Sequence, residues 1–438
     1  MTRTLSRDIA AHAGETITLR GWLHKKRLLG GLNFITLRDR SGIAQTLVDN
    51  KDELEKLRGL QVGTVLSLTG TVVSDERAPG GAELHDVKVE VEAPVTDEPP
   101  IEIDKPLSHK SENLDTLFEY RAIGLRNPQE QTVFKVQAKV LESIRGYLIE
   151  NDFTEMNTPK LLAEATEGGA EVFKLDYFGK TATLAQSAQF YKQMMVGVFE
   201  RVFETNPTYR AEPSATTRHM SEYITIDVEM GFITFDDLLT FTSKLINQVA
   251  DTVWQSYGDD FKKWNVQKPL LTENFPRVPM KEAHELYAKA HNVPVNEEGD
   301  LSPDEEKWMC EYSRDNLGSE AVFITEWPST DKTFKFYHRK NADNPELADR
   351  SDLLFRGVEI ATVPMRENNY QKLLQQMKDA GLDSAHEGYK YYLQAFQYGL
   401  PQHGGFGMGL ERLTEKLINL NNIKEATLFP RDINRLTP

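Results

Sequence analysis

The sequence predicts an α+β protein, with a small all-β barrel at the N-terminus followed by an antiparallel β-sheet flanked by helices. Three observations carry the prediction. Residues 15 to 93 alternate apolar and polar in short runs divided by turn residues, and residues 126 to 438 mix long helical patterns with strand patterns. The helices are not regularly interposed between the strands, as a doubly wound parallel sheet would require.

In the first region TITLRGWL, NFITLRD and GIAQTLVD read as strands, KDELEKLRG as a helix, and TVLSLTGTVV and HDVKVEVEA as strands again. Gly30-Gly31 and Pro79-Gly80-Gly81 supply turns. Five strands with a helix after the third is the order of an OB-fold, and also fits another small barrel. The domain is expected to span 1–95. Pro94, Pro99, Pro100 and Pro106 among charges mark a linker, set at 96–125. A first long helix is expected over 129–150, since Val133, Val136, Val140, Leu141, Ile144 and Leu148 fall on one stripe. Further helical patterns lie near 187–200, 235–257, 280–291, 366–380 and 386–419, the last broken at 401–405. Strands are expected at 201–211, 221–232, 320–327 and 352–362.

Composition narrows the function. The 438 residues hold 51 Lys+Arg and 67 Asp+Glu, a net charge of −16. No run approaches the roughly 18 apolar residues of a membrane span, and the N-terminus lacks the apolar core of a secretory signal. The single cysteine, Cys310, forms no internal disulfide, so a reducing cytoplasm is expected. Ten dispersed histidines leave no zinc-ligand spacing; any metal is expected to be a hard cation held by carboxylates and substrate phosphates. The acidity argues against a nucleic-acid partner unless a surface is locally basic. Neither a GxxxxGK[ST] loop nor a GxGxxG turn follows a strand.

Three clusters carry chemistry. Thr208-Tyr209-Arg210-Ala211-Glu212, then Arg218-His219, then EYITIDVEM make a strand, a loop and a returning strand on which a polyanion could be clamped, or a surface hairpin with solvated charges. GGFGMGLERL at 404–413 reads as a glycine-rich entry to a helix carrying Glu411 and Arg412, suited to close backbone approach or simply to packing. In DLLFRGVEIAT, Asp352 and Glu359 suit a divalent cation bridging phosphates. Their odd offset puts them on opposite faces of one regular strand unless a bulge at Gly357 intervenes; without one the pair is structural.

The helix and strand ending at Pro159, the Arg210-Ala211-Glu212 hairpin and GGFGMGLERL, in that order, resemble motifs 1, 2 and 3 of the class II aminoacyl-tRNA synthetases, and the OB-like domain ahead of them resembles subclass IIb, which holds the aspartyl, asparaginyl and lysyl enzymes. The resemblance places the catalytic domain at 126–438, with motif 1 at about 129–160, motif 2 at about 201–232, a helical insertion at about 268–345 and motif 3 at about 403–419. QSAQFYKQ at 186–193 is similar to the aspartyl signature QSPQLYKQ, with Ala188 in place of proline. The resemblance implies a ligase that activates aspartate with ATP and Mg²⁺ and charges tRNA(Asp), as a homodimer without zinc. Lys192 and Arg366 would face the β-carboxylate, and Glu167, Gln189 and Asp227 the ammonium. Arg210 would bind the α-phosphate, Arg412 the γ-phosphate, Arg218 and His219 phosphates and adenine, and Glu212 adenine or the tRNA end. Gly409 would line the ATP site, and Glu359, Asp352 and Thr362 would organise Mg²⁺. Thr362-Val363-Pro364-Met365-Arg366 departs from the family's Ser- and Gly-rich approach, and its stiffer backbone could move Arg366.

In the barrel, Phe34, Gln45 and Glu83 match anticodon-reading positions, although the alternation of NFITLRD also suits Phe34 as core. The Lys25-Lys26-Arg27 run would meet backbone phosphate or simply be solvated. His24 and Pro79 stand where strict tRNA(Asp) readers carry Trp and Lys, and resemble the non-discriminating enzymes that also charge tRNA(Asn). A strictly discriminating aspartyl enzyme, an asparaginyl enzyme and a non-catalytic tRNA-binding paralogue are the alternatives. Lys192 speaks against the asparaginyl enzyme, and the retention of Arg210, Glu359 and Arg412 against the paralogue.

Overall fold

The structure is a computed structural model and describes residues 3–28, 32–105, 114–163, 171–213, 216–297, 299–331 and 333–438, without the side chain of residue 263. It divides into two compact units, 1–132 with 438, and 133–437.

In the first unit, strands β1 (Thr16–Leu28), β2 (Asn33–Arg38), β3 (Ile43–Leu47), β4 (Val65–Ser74) and β5 (Ala82–Ala93) form a closed barrel in the order β1-β2-β3-β5-β4, with β4 pairing back onto β1. Helix α1 (Lys51–Arg58) follows the third strand, so of the two barrels compatible with the sequence the OB-fold is the one formed. Period-two alternation places Leu19, Leu23, Ile35, Leu37, Leu66, Leu68 and Leu84 in the interior. Phe34 has the opposite parity and lies half-buried on the outer face, which removes the core reading of this residue. A register shift between Leu23 and Lys25 turns Lys25 and Arg27 opposite Thr36 and Phe34. Lys26 points the other way, and its ammonium donates to the carbonyls of Leu57, Arg58 and Leu60 at the C-terminus of α1. The basic run is therefore two outward cations and one helix cap. The Pro79–Gly81 turn joins β4 to β5 with Gly80 and Gly81 at positive φ, whereas Gly30-Gly31 lies outside the described residues. Part of the segment expected as linker is helical, at Leu114–Glu119 and Arg121–Gly124.

The second unit is built on an eight-stranded sheet. Its strands are β6 (Thr154–Glu155), β7 (Arg201–Tyr209), β8 (Glu222–Gly231), β9 (Arg277–Pro279), β10 (Ala321–Thr325), β11 (Arg350–Phe355), β12 (Val358–Pro364) and β13 (His403–Gly409), in the order β9-β10-β11-β12-β13-β8-β7-β6. The six central strands are antiparallel, and a short parallel strand sits at each edge. Helices α2 (Pro128–Glu150) and α4 (Phe235–Lys263) cover one face, burying Val136, Val140, Ile144, Leu245, Ile246 and Val249 with Val228, Leu353 and Phe406 of the sheet. Between them in sequence, α3 (Gln189–Phe199) packs against β7 and β8.

Two expected elements differ. The single strand at 352–362 is two strands, because Arg356 and Gly357, both at positive φ, make a two-residue hairpin turn. The helix expected over 386–419 is a helix at Lys390–Gln397, then β13, then helix α5 (Leu410–Ile418). The glycines of 404–409 are thus a central strand, where a missing Cβ permits contact. A Cβ on Gly405 would collide with the Val228 carbonyl, and one on Gly404 would stand 2.6 Å from Met365 Sδ. Among the described residues no helix is long and apolar enough to cross a membrane.

Candidate active site

Register builds the site. Asp352 pairs with Thr362, Thr362 with Gly407 and Gly407 with Asp227, so one row crosses β11, β12, β13 and β8. Directly paired residues share a face, and Gly407 leaves the middle of that row open. Two residues along β8, Glu229 pairs with Gly405, which opens the next row in the same way. A register shift between Leu353 and Leu354 leaves Ile360 unpaired in β12. The bulge turns Glu359 onto the face of Asp352 and Thr362, and the Thr362 hydroxyl donates to Glu359 Oε1 at 2.7 Å. The carboxylates therefore converge through a turn at Gly357 plus a bulge at Ile360, where the sequence suggested a bulge at Gly357 alone.

On this face lies a pocket of about 510 Å³. Its lining includes Gln189, Lys192, Asp227, Arg366, Arg210, Glu212, Arg218, His219, Asp352, Glu359, Thr362, Gly409 and Arg412, gathered from segments up to 223 residues apart (412 − 189). Glu167 lies outside the described residues.

One end of the pocket is a buried charge quartet. Lys192 Nζ is 2.9 Å from Asp227 Oδ1 and 3.0 Å from the Phe406 carbonyl oxygen, and 3.7 Å from Glu229 Oε2. Arg366 donates from Nε and Nη2 to the two Glu229 oxygens at 2.8 and 3.1 Å and lies 5.4 Å from the Tyr337 ring centroid. Its backbone N–H donates to the His403 carbonyl. The stiff Val363-Pro364 approach therefore ends with Arg366 in the pocket, held by partners on two other strands. Burial alone would raise Asp227 and Glu229; Lys192 and Arg366 instead hold both below the usual carboxylate range. The remaining Asp227 oxygen accepts from Thr225 and Asn206. Behind Arg366, the His403 Nδ1–H donates to the Pro401 carbonyl, leaving Nε2 to accept from Gln193 at 3.0 Å, and Gln193 Oε1 accepts from Gln189 and Tyr392. Burial lowers the pKa of His403.

The other end is cationic. Arg210, Arg218 and Arg412 surround His219, whose pKa falls through burial and these three charges, against Glu212. Arg412 donates to the Glu359 carbonyl at 3.0 Å, and Arg218 to Glu306 Oε2 at 3.0 Å. Burial and the neighbouring Glu359 push Glu306 up to about 7. Glu411 is also buried and pushed up to about 7, with both oxygens 3.1 Å from the Ile224 N–H.

Sequence reasoning missed Glu229, Glu306, Arg350 and His338. Glu229 could have been found, since it lies two residues beyond Asp227 on the same strand. So could Arg350, two residues before Asp352 on one strand, whereas Glu306 and His338 come from segments that touch the site only through tertiary packing.

The metal candidates were tested by their bonds. Among the described residues no group of three His, Cys, Asp or Glu side chains is arranged to hold an ion by protein ligands alone. Glu359 fits a Mg²⁺ ion shared with phosphates, its carboxylate facing the pocket and oriented by Thr362. Asp352 fits poorly, because both its oxygens accept from Arg350 Nη2, at 3.2 and 3.0 Å.

In the barrel, Gln45 Nε2 donates to Glu83 Oε2 at 2.7 Å and the other Glu83 oxygen is 2.8 Å from His85 Nε2. Gln45 and Thr36 are cross-strand partners, two pairs along from Phe34 and Leu47 and so on the same face, and the outer face combines an aromatic ring, amide and carboxylate groups, and the outward Lys25 and Arg27. His24 is half-buried with its pKa lowered by burial and Arg38, and Pro79 is exposed.

Residues 113–433 match the family described as tRNA synthetases class II (D, K and N), and residues 17–94 match the OB-fold nucleic acid binding domain. This chain belongs to the class II tRNA synthetases. An aspartate-tRNA(Asp/Asn) ligase of Thermus thermophilus is 40% identical across the whole of this synthetase and the whole of its own chain. One from Methanopyrus kandleri is 38% identical over 97% of this synthetase and 96% of its own chain. Among solved structures, asparaginyl-tRNA synthetase from Pyrococcus horikoshii complexed with asparaginyl-adenylate superposes with a TM-score of 0.90 at 30% identity, covering both chains fully. A putative aspartyl-tRNA synthetase from Leishmania major gives 0.89 at 25% identity, over 100% of this synthetase and 95% of that chain. The synthetase is accordingly an ATP-dependent ligase with an anticodon-type barrel ahead of its catalytic domain.

Proposed function

We propose that this synthetase activates L-aspartate and charges both tRNA(Asp) and tRNA(Asn), as its full-length relatives are named for doing. The observation that carries the amino-acid choice is the quartet: two cations at the closed end of the pocket, each held by its own carboxylate. Asp227 and Glu229 hold Lys192 and Arg366 in place, and the β-carboxylate of aspartate joins as a fifth group between the cations. Asparagine, nearly isosteric, offers a neutral amide whose N–H groups meet two donors, leaving buried charge unsatisfied. Asp227 acts on the substrate through Lys192, and Gln189, with Glu167, takes the ammonium.

The chemistry is positioning and charge neutralisation. The α-carboxylate oxygen of aspartate attacks the α-phosphorus of ATP; that P–O bond forms as the bond to the bridging oxygen breaks, and pyrophosphate leaves. Arg210 neutralises the α-phosphate, Arg412 and Arg218 draw the leaving pyrophosphate away, and His219 with Glu212 holds adenine. Mg²⁺ bound with ATP spreads the polyphosphate charge, and Glu359 would hold it. A terminal ribose hydroxyl of tRNA then attacks the aspartyl carbonyl, the carbonyl–oxygen bond to phosphate breaks, and AMP departs with the hydroxyl proton.

On the barrel, Phe34 stacks on an anticodon base while Gln45 and Glu83 hydrogen-bond neighbouring bases. His24 and Pro79 support acceptance of tRNA(Asn), since neither adds a discriminating Trp ring or Lys cation. The enzyme works in the cytoplasm as a homodimer through motif 1.

Asparagine activation is the competing reading, favoured by the likeness to the Pyrococcus horikoshii enzyme. Charging purified tRNA(Asp) and tRNA(Asn) with each amino acid separates the readings. Aspartate on both is expected; aspartate on tRNA(Asp) alone makes the enzyme strict, and asparagine charging overturns the substrate assignment.

A further inference from the structure

Arg350 is a cation of the pocket wall that the reaction scheme leaves without a role. It is buried at 6% exposure on β11, its guanidinium carbon 3.9 Å from the Trp327 ring centroid. Nη1 donates to Thr333 Oγ1 at 2.6 Å, Nη2 spans both oxygens of Asp352, and buried Nε has no partner among the described residues. A guanidinium fixed by a ring on one side and a hydroxyl on the other cannot swing away cheaply. Asp352, two residues along and on the same face, is equally buried, so the ion pair is enclosed. Glu359, the second carboxylate of the row, instead contacts the Thr362 hydroxyl and the more exposed Arg412, and faces the open pocket.

We propose that Arg350 is a positioning residue that withdraws Asp352 from the divalent-cation site, so that the cation accompanying ATP is held by Glu359 and the phosphates while Arg350 serves as the fixed counter-charge of Asp352. The inference rests on the ATP-dependent reading of this pocket, and it concerns how the cation is held, whichever amino acid is activated. A permanent guanidinium on Asp352 leaves a one-carboxylate site, which binds the cation weakly without nucleotide and gains most of its affinity from the phosphates.

The test is Mn²⁺ binding to the full-length enzyme, read by electron paramagnetic resonance with and without ATP and in the absence of aspartate. Arg350→Gln frees Asp352 and is expected to tighten Mn²⁺ about tenfold, most visibly without ATP. The double variant Arg350→Gln with Asp352→Asn removes both charges together and is expected to bind Mn²⁺ within about threefold of the parent, because in the parent Asp352 is not a ligand. A double variant that binds tenfold or more weakly shows Asp352 to be a ligand already, and overturns the proposal. So does an Arg350→Gln variant with parental affinity. Thermal unfolding supplies a readout that a merely structural role would not move: Mn²⁺ should stabilise Arg350→Gln more than the parent by filling the place of the lost guanidinium, and equal stabilisation counts against the idea. If Arg350→Gln does not fold, the double variant still decides, since it leaves no unpaired buried charge. Failure of ATP binding by the parent would instead refute the ATP-site reading, a result distinguishable from any change in Mn²⁺ affinity.

Discussion

On the proposed function Lys192, with Arg366, selects the amino acid, and its replacement can be worked through from the structure. The side chain is 1% exposed, with Asp227 and the Phe406 carbonyl as its close partners. Lys192→Gln removes one of two charge-assisted contacts to the substrate β-carboxylate, each worth about 1.5–3 kcal/mol, or roughly 10- to 150-fold in kcat/KM for aspartate. The same change strands Asp227 as an unpaired buried carboxylate, at a cost of about 3–5 kcal/mol of stability. Activity could then fall simply because the protein unfolds. The paired variant Lys192→Gln with Asp227→Asn removes the stranded charge and separates the effects. ATP-pyrophosphate exchange would be measured with aspartate and with asparagine on both variants, alongside thermal unfolding. The double variant should recover most of the stability while its aspartate-over-asparagine preference stays down by at least about tenfold, the lower end of the charge-assisted range. A folded double variant that retains the parental preference refutes the idea that charge at this position selects the substrate.

Other consequences are simpler to check. Arg412→Ala should abolish exchange while leaving the fold intact, because its side chain is partly exposed and bonds to the Glu359 carbonyl; near-normal exchange would remove Arg412 from the phosphate site. Aminoacylation should weaken as salt rises while exchange changes little, and Lys25→Ala or Arg27→Ala should flatten that dependence. Lys26→Ala should instead lower stability by about 1 kcal/mol with the salt slope unchanged, since it caps α1. Glu306 and Glu411 have folded pKa values of about 7, above the ordinary 4.5, so the native state binds their protons more tightly than the unfolded chain does. Their contribution to stability is complete below pH 4.5 and is lost as pH rises through about 7; Glu306→Gln should flatten the melting curve across that interval, and an unchanged pH profile would contradict the assignment.

The long amphipathic helix at 128–150 and the five barrel strands were legible because each repeats one period long enough to define a face. The glycine run at 404–409 was misread, since glycine has no side chain to reveal a period, and only its neighbours β8 and β12 make it a strand. The Asp352–Glu359 geometry was half legible. The need for a chain irregularity could be inferred from their odd spacing, but a turn and a bulge together were decided by pairing with β10 and β13. Lys26 could not be distinguished from its neighbours, because its role depends on where α1 ends.

By itself, the sequence determined the two-part α+β architecture, the order of the three motifs and most of the residues that line the pocket. These follow from local periodicity and from the chemical identity of side chains, which are written in the chain. Tertiary structure alone decided the charge pairing: that Lys192 answers Asp227, that Arg366 answers Glu229, and that Arg350 closes on Asp352. The first two depend on how α3, β8 and the chain following β12 pack together, the third on the burial of two neighbours on one strand, and burial is what makes each pairing costly to break.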